Sequence, residues 1–199
     1  MSLLIKICGL RSAHDVDAAV DAGANAVGFV FAESPRQVTP VEAKRAATAA
    51  SDDVIRVAVM RHPGHDDWLR VLEEFQPDVL QTDIEDLEGL DVPDTVTAWP
   101  VVREGVAASN NVPLDMFLYE GPNSGHGETV DWQHAATVAR RGRMILAGGL
   151  SAENVAEAIH VVRPYGVDVS SAVESQPGRK DPGLIRQFVS AARSAESSL

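Results

Sequence analysis

Apolar positions in this chain come in short, nearly continuous runs, and polar stretches of helical period separate them. The first run, Leu3-Leu4-Ile5-Lys6-Ile7-Cys8, stops at Gly9 and predicts a buried strand. Runs at 26–31, 54–60, 79–82, 96–102, 116–120, 144–147 and 166–170 predict seven more. Pro100 interrupts the fifth run and weakens its claim to be a strand. Helices are predicted over 13–22, 40–50, 66–75, 131–141, 152–162 and 182–192, with a weak acidic connection at 85–89. Ser12 and Thr39 stand where N-caps belong, Pro40 at a first helical position, and Gly23 where a helix stops. Residues 194–199 are expected to fray.

Strands that are apolar along their whole length, alternating with helices, argue for parallel pairing with both faces covered. Eight of them predict an α/β fold, a (β/α)8 TIM barrel, formed as a single domain over residues 1–199. An open doubly wound sheet is the alternative. Its dinucleotide fingerprint is missing, because Gly9 is not followed by a Gly-x-x-Gly that opens a helix.

Composition changes the picture in three places. The formal net charge of −12 disfavours nucleic acid, whose phosphates need basic surface. No apolar run approaches the ~20 residues of a membrane span, and no leader pattern precedes Leu3, so a cytoplasmic protein without a membrane partner is expected. The single cysteine permits no internal disulfide. Lysine is confined to Lys6, Lys44 and Lys180, and this acid-rich, lysine-poor balance suits a salt-adapted, halophilic protein as well as an ordinary acidic one.

Barrel chemistry sits at the C-terminal strand ends, where phosphate often binds in the loops after strands seven and eight. Here those loops hold Gly148 and Gly149, then Ser170, Ser171 and Ala172. Paired glycines let backbone N–H groups approach an anion closely. Arg36, after strand two, is suited to fork onto a carboxylate. Cys8 ends strand one and Glu120 ends strand six, so the two are expected to face each other across the barrel mouth. Alone, Cys8 reads equally as a small buried hydrophobe. The segment 120–128 is rich in turn formers and reads as a flap. The six histidines are scattered, and only His62 and His65 lie close, beside Asp66 and Asp67, as a solvated helix start. No metal set emerges.

Lys6-Ile7-Cys8-Gly9, Gly28-Phe29-Val30-Phe31 with Ser34-Pro35-Arg36, Asp131-Trp132, Ala147-Gly148-Gly149-Leu150 and Val167-Asp168-Val169-Ser170-Ser171 together resemble phosphoribosylanthranilate isomerase. So do Asn154-Val155 and Pro177-Gly178-Arg179-Lys180-Asp181. The resemblance implies a (β/α)8 barrel of tryptophan biosynthesis that performs an Amadori rearrangement of a phosphosugar without metal or organic cofactor, as a monomer or homodimer. It implies Cys8 as general base, at a site that favours thiolate with help from Lys6 or the arginine. It implies Glu120 as general acid, at the position reached by counting back from Asp131-Trp132 without a gap; Tyr119 competes if the register slips. Arg36 is implied at the anthranilate carboxylate, Gly148, Gly149, Ser170, Ser171 and Ala172 at the phosphate, and Asp168 among the substrate-binding residues.

Three departures stand out. Glu120 replaces the family's aspartate, and Gln81-Thr82-Asp83 replaces its usual Gln-Leu-His-Gly. Ala172 replaces a glycine, where any need for positive φ would bring strain. Rival readings are an isomerase of histidine biosynthesis, which uses two aspartates, and a noncatalytic phosphosugar-binding barrel.

Overall fold

A computed structural model describes residues 2–51, 53–105, 115–122 and 129–198. Eight parallel strands close into a barrel, each hydrogen-bonded to its sequence neighbours, with the last returning to the first. They are β1 (Leu4–Cys8), β2 (Ala26–Val30), β3 (Ile55–Val59), β4 (Val79–Asp83), β5 (Thr97–Arg103), β6 (Met116–Glu120), β7 (Arg143–Leu146) and β8 (Gly166–Val169). Pro100 does not prevent β5. It surrenders one ladder donor, while β4 and β6 pair the strand on both sides.

The alternation of side chains across each strand divides the core in two. Leu4, Ala26, Val57, Val79, Trp99, Val101, Leu118, Ile145 and Ala147 fill the lumen. Residues of opposite parity, such as Ile5, Val27, Phe29, Leu80, Phe117 and Leu146, pack outward in the cluster shared with the helices. Both faces are buried, so the runs are apolar throughout rather than alternating. Each fully buried large side chain contributes about 1.5–3 kcal/mol.

The helical connections are α1 (Ala13–Ala22), α2 (Pro40–Ala47), α3 (His65–Glu74), α4 (Trp132–Val138), α5 (Val155–Val162) and α6 (Pro182–Glu196). Ser12 with Asp15 and Thr39 with Glu42 form capping boxes, and Gly23 closes α1 in the left-handed region at φ 97°. The acidic stretch between β4 and β5 is a 3-10 helix, Ile84–Gly89, rather than a full α-helix. The helix expected to reach Arg141 turns 3-10 after Val138, and the one expected to reach Ala50 stops at Ala47.

Two features correct the sequence reading. The C-terminal helix does not fray at Ser194 but runs to Glu196. Glu196 Oε1 accepts from the Leu3 N–H at 2.6 Å, and Arg193 Nη1 donates to the Leu3 carbonyl at 2.6 Å, tying both ends of the chain together. A small antiparallel hairpin, β9 (Glu174–Gln176) with β10 (Arg179–Lys180), follows β8 and was not foreseen. Its turn residue Gly178 adopts φ 77°, and a Cβ there would overlap the Pro35 carbonyl oxygen. The hairpin is thereby pressed against the loop that carries Arg36.

Candidate active site

Ladder register brings the polar residues together before any side chain is considered. Lys6 pairs with Asp168, Cys8 with Gly28, and Arg103 with Glu120 across adjacent strands. Lys6 and Cys8 are two apart on β1 and share the lumen face. Lys6 Nζ donates to Asp168 Oδ1 at 2.8 Å, with the lysine wholly buried. Burial alone would lower the Lys6 ammonium, yet Asp168 and Cys8 raise it well above its ordinary value. It therefore stands as a fixed positive charge beside the sulfur.

The Cys8 thiol is itself pushed up, first by burial; Lys6 and Lys180 pull it back only in part, and Asp168 opposes them. Burial therefore works against the expected thiolate, while Lys6, though bonded to Asp168, still pulls toward it. Gly28 makes the crowding possible. A Cβ there would lie 3.1 Å from both Cys8 Sγ and Lys6 Nζ.

Above this pair lies a cavity of roughly 180 Å³ whose lining includes Cys8, Arg36, Gln81, Arg103, Glu120, Asp168 and Ser170. Cys8 and Glu120 face the same space, as their strand-end positions predict. Glu120 Oε1 accepts from Arg103 Nη1 at 2.8 Å, and Arg103 Nε donates to Asp83 Oδ1 at 2.7 Å. Arg103 and Asp83 end β5 and β4, and sequence reasoning singled out neither as a partner of the acid. Tyr119, the competitor, points the other way. It is 1% exposed in the outer cluster, tilted against His134 of α4, and burial followed by Glu104 and Asp131 pushes its phenol up to about 12.

Arg36 is held as well as exposed to the cavity. Its Nε and Nη2 donate to the two Glu174 oxygens at 2.8 and 2.9 Å, and Lys180 Nζ donates to Glu174 Oε1 at 2.8 Å. Burial alone would raise the Glu174 carboxyl, but these bonds hold it below the usual range. Two of the five guanidinium donors are used there, which leaves others for a ligand. Lys180 also donates to the Ser170 carbonyl at 2.8 Å, pinning the loop after β8. Two of the chain's three lysines are therefore site residues. A lysine inside an apolar run, as at position 6, is the signal that marks one of them.

Gly148 and Gly149 adopt φ of 90° and 62°, and the Asn154 side chain donates to the Gly149 carbonyl at 2.8 Å. Ser171 and Ala172 lie in the short 3-10 turn Ser171–Val173 on the neighbouring strand end. Among the described residues, nothing accepts from the backbone N–H groups of Gly148, Gly149, Ser171 or Ala172. Ala172 is not among the residues with positive φ, so the strain expected there is absent.

The histidine reading also changes. His62 pairs with Asp86, Nδ1 to Oδ1 at 2.9 Å, instead of sharing a helix start with His65. His62, Asp83 and Asp86 offer donor atoms within 4.8 Å of one another. Asp86 accepts from His62 and Thr82, and Asp83 Oδ1 accepts from Arg103, whereas Asp83 Oδ2 has no hydrogen-bond partner among the described residues. A larger cavity of about 350 Å³ lies between α2 and α3 and contains neither Cys8 nor Glu120. Of the flap expected at 120–128, residues 123–128 lie outside the described residues. No helix among the described residues is long and apolar enough to cross a membrane.

Comparison with known proteins places this geometry. The family described as N-(5'phosphoribosyl)anthranilate (PRA) isomerase matches residues 5–191. N-(5'-phosphoribosyl)anthranilate isomerase of Listeria welshimeri is 37% identical over 205 residues, covering 98% of this chain and all of the relative. Among solved structures, the phosphoribosyl anthranilate isomerase of Thermotoga maritima superposes with a TM-score of 0.85 at 31% identity, covering 97% of this chain and all of that one. A phosphoribosyl anthranilate isomerase solved with reduced 1-(o-carboxyphenylamino)-1-deoxyribulose 5-phosphate matches at TM-score 0.82 and 31% identity, over the same shares of the two chains. On its sequence across nearly the whole barrel, this chain belongs to the phosphoribosylanthranilate isomerase family.

Proposed function

We propose that this barrel converts N-(5'-phosphoribosyl)anthranilate to 1-(2-carboxyphenylamino)-1-deoxyribulose 5-phosphate, with Cys8 as base and Glu120 as acid. The observation that carries the reading is one cavity holding a thiol and a carboxyl on the ends of β1 and β6, in a chain of this family. Glu120 protonates the ribose ring oxygen as the C1′–O bond breaks, leaving an iminium at the anthranilate nitrogen. Cys8, as thiolate, removes the C2′ proton, and the resulting enol amine tautomerises to the aminoketose. Lys6 stabilises the thiolate that must form before that transfer. Turnover of phosphoribosylanthranilate, followed by loss of its fluorescence, tests the reading; no turnover would leave a phosphosugar-binding barrel.

The phosphate is assigned to the N–H groups after β7 and β8, and the anthranilate carboxylate to the free donors of Arg36. Glu174 holds the guanidinium flat for that contact. Arg36→Met is expected to raise KM at least tenfold, because a forked charge-assisted contact is lost. Competitive inhibition by inorganic phosphate should stay within twofold. A parallel loss of phosphate affinity would show that the two substrate ends are placed the wrong way round.

The chain functions as one barrel domain in the cytoplasm, as a monomer or homodimer. Its charge of −12 supports work at high salt, where screening blunts self-repulsion.

A further inference from the structure

A general acid beside an arginine poses an electrostatic problem, because a cation at hydrogen-bond distance favours the carboxylate over the proton-bearing form. Glu120 is in that position, with Arg103 Nη1 2.8 Å from Oε1. Arg103 is not an isolated charge, however. Its Nε and Nη2 both reach Asp83 Oδ1 at 2.7 Å, and Asp83 is 2% exposed. The guanidinium is thus neutralised from behind by a buried anion that no solvent screens.

We infer that Asp83 is a positioning residue for the isomerisation: by neutralising and anchoring Arg103, it keeps a protonated Glu120 available and aims its proton into the cavity. The inference rests on Glu120 being the acid. In the protonated trio the charges sum to zero, which suits side chains at most 14% exposed. Arg103 donates to Oε1 and so fixes the carboxyl's rotation at the cavity wall. The other charged groups that line the cavity with Glu120 are Cys8 of β1, Asp168 of β8, Glu33 and Arg36 after β2, and Arg61 after β3. Glu104, after β5, reaches the Glu120 strand end through its backbone N–H. Facing Asp83 is His62, whose Nε2 lies 3.8 Å from Oδ2, an oxygen with no hydrogen-bond partner among the described residues. His62 is itself held by Asp86.

The sign follows directly. Removing Asp83's charge leaves Arg103 a full cation against Glu120, which then loses its proton at lower pH. In Asp83→Asn the alkaline limb of the kcat–pH profile is expected to move down by about one pH unit, with kcat on that limb reduced about tenfold. KM should stay within about twofold, a split that general destabilisation would not produce. Asp83→Glu should restore most of the limb's position. The double variant Asp83→Asn with Arg103→Gln removes both charges together. It should return the limb toward the wild type, and it avoids stranding either charge in the protein interior. An unmoved limb in Asp83→Asn, or a double variant displaced further than the single one, would overturn the inference. Glu120→Gln separates this from the acid assignment. An inactive Glu120→Gln with an unmoved Asp83→Asn limb overturns only the role of Asp83, whereas a fully active Glu120→Gln overturns both.

Discussion

Cys8→Ser is expected to lower kcat about a thousandfold, the midrange of what a positioned base supplies, while KM stays within a few-fold. The variant is nearly isosteric and the position is 6% exposed, so packing changes little. What changes is the base. Burial already pushes the thiol up, and Lys6, committed to Asp168, returns only part of that cost. A hydroxyl several units weaker as an acid has no route to its anion in the same surroundings. A loss of a thousandfold corresponds to about 4 kcal/mol of transition-state stabilisation. The same physics sets the pH dependence: with its thiol raised by burial, kcat/KM should climb as pH rises from neutral until loss of the Glu120 proton turns it down. Steady-state turnover across pH 6–10 measures both effects. Wild-type kcat in Cys8→Ser would remove Cys8 from the mechanism.

Glu120→Gln is the second large effect, an expected loss of a hundredfold to ten-thousandfold in kcat with substrate binding largely preserved. The amide retains the shape and still accepts from Arg103, but it has no carboxylic proton to give the ring oxygen. Tyr119→Phe should be near neutral in kcat, because the phenol lies in the outer cluster beside α4 and not in the cavity. Glu120→Asp should retain partial activity. The shorter side chain draws back from both Arg103 and substrate, and misplacement on the scale of a bond length is costly where geometry is tight. An active Glu120→Gln with a dead Tyr119→Phe would show the opposite assignment.

The sequence by itself determined the barrel. Strands buried on both faces must be apolar at successive positions, and the runs from Leu3 to Cys8 and from Met116 to Glu120 show that directly. Helix starts were equally legible, because Ser12 and Thr39 cap through bonds to residues three positions away. Cys8 and Glu120 were legible as strand ends. Which of Tyr119 and Glu120 turns toward the cavity stayed open in the sequence, because it depends on the register within the closed barrel.

Only the tertiary structure decided the partners. Lys6 and Asp168 are 162 residues apart and meet because barrel closure sets β8 against β1. Arg103 reaches Glu120 across 17 residues and Asp83 across 20, through ladder registers that no local preference encodes. The thiol's surroundings, burial first and then Lys6, Asp168 and Lys180, are likewise set by barrel closure. The physical reason is range. Strand, cap and turn preferences are settled among neighbours a few residues apart, whereas the charge felt by a buried carboxyl or thiol is set by whichever strands the closed barrel brings beside it.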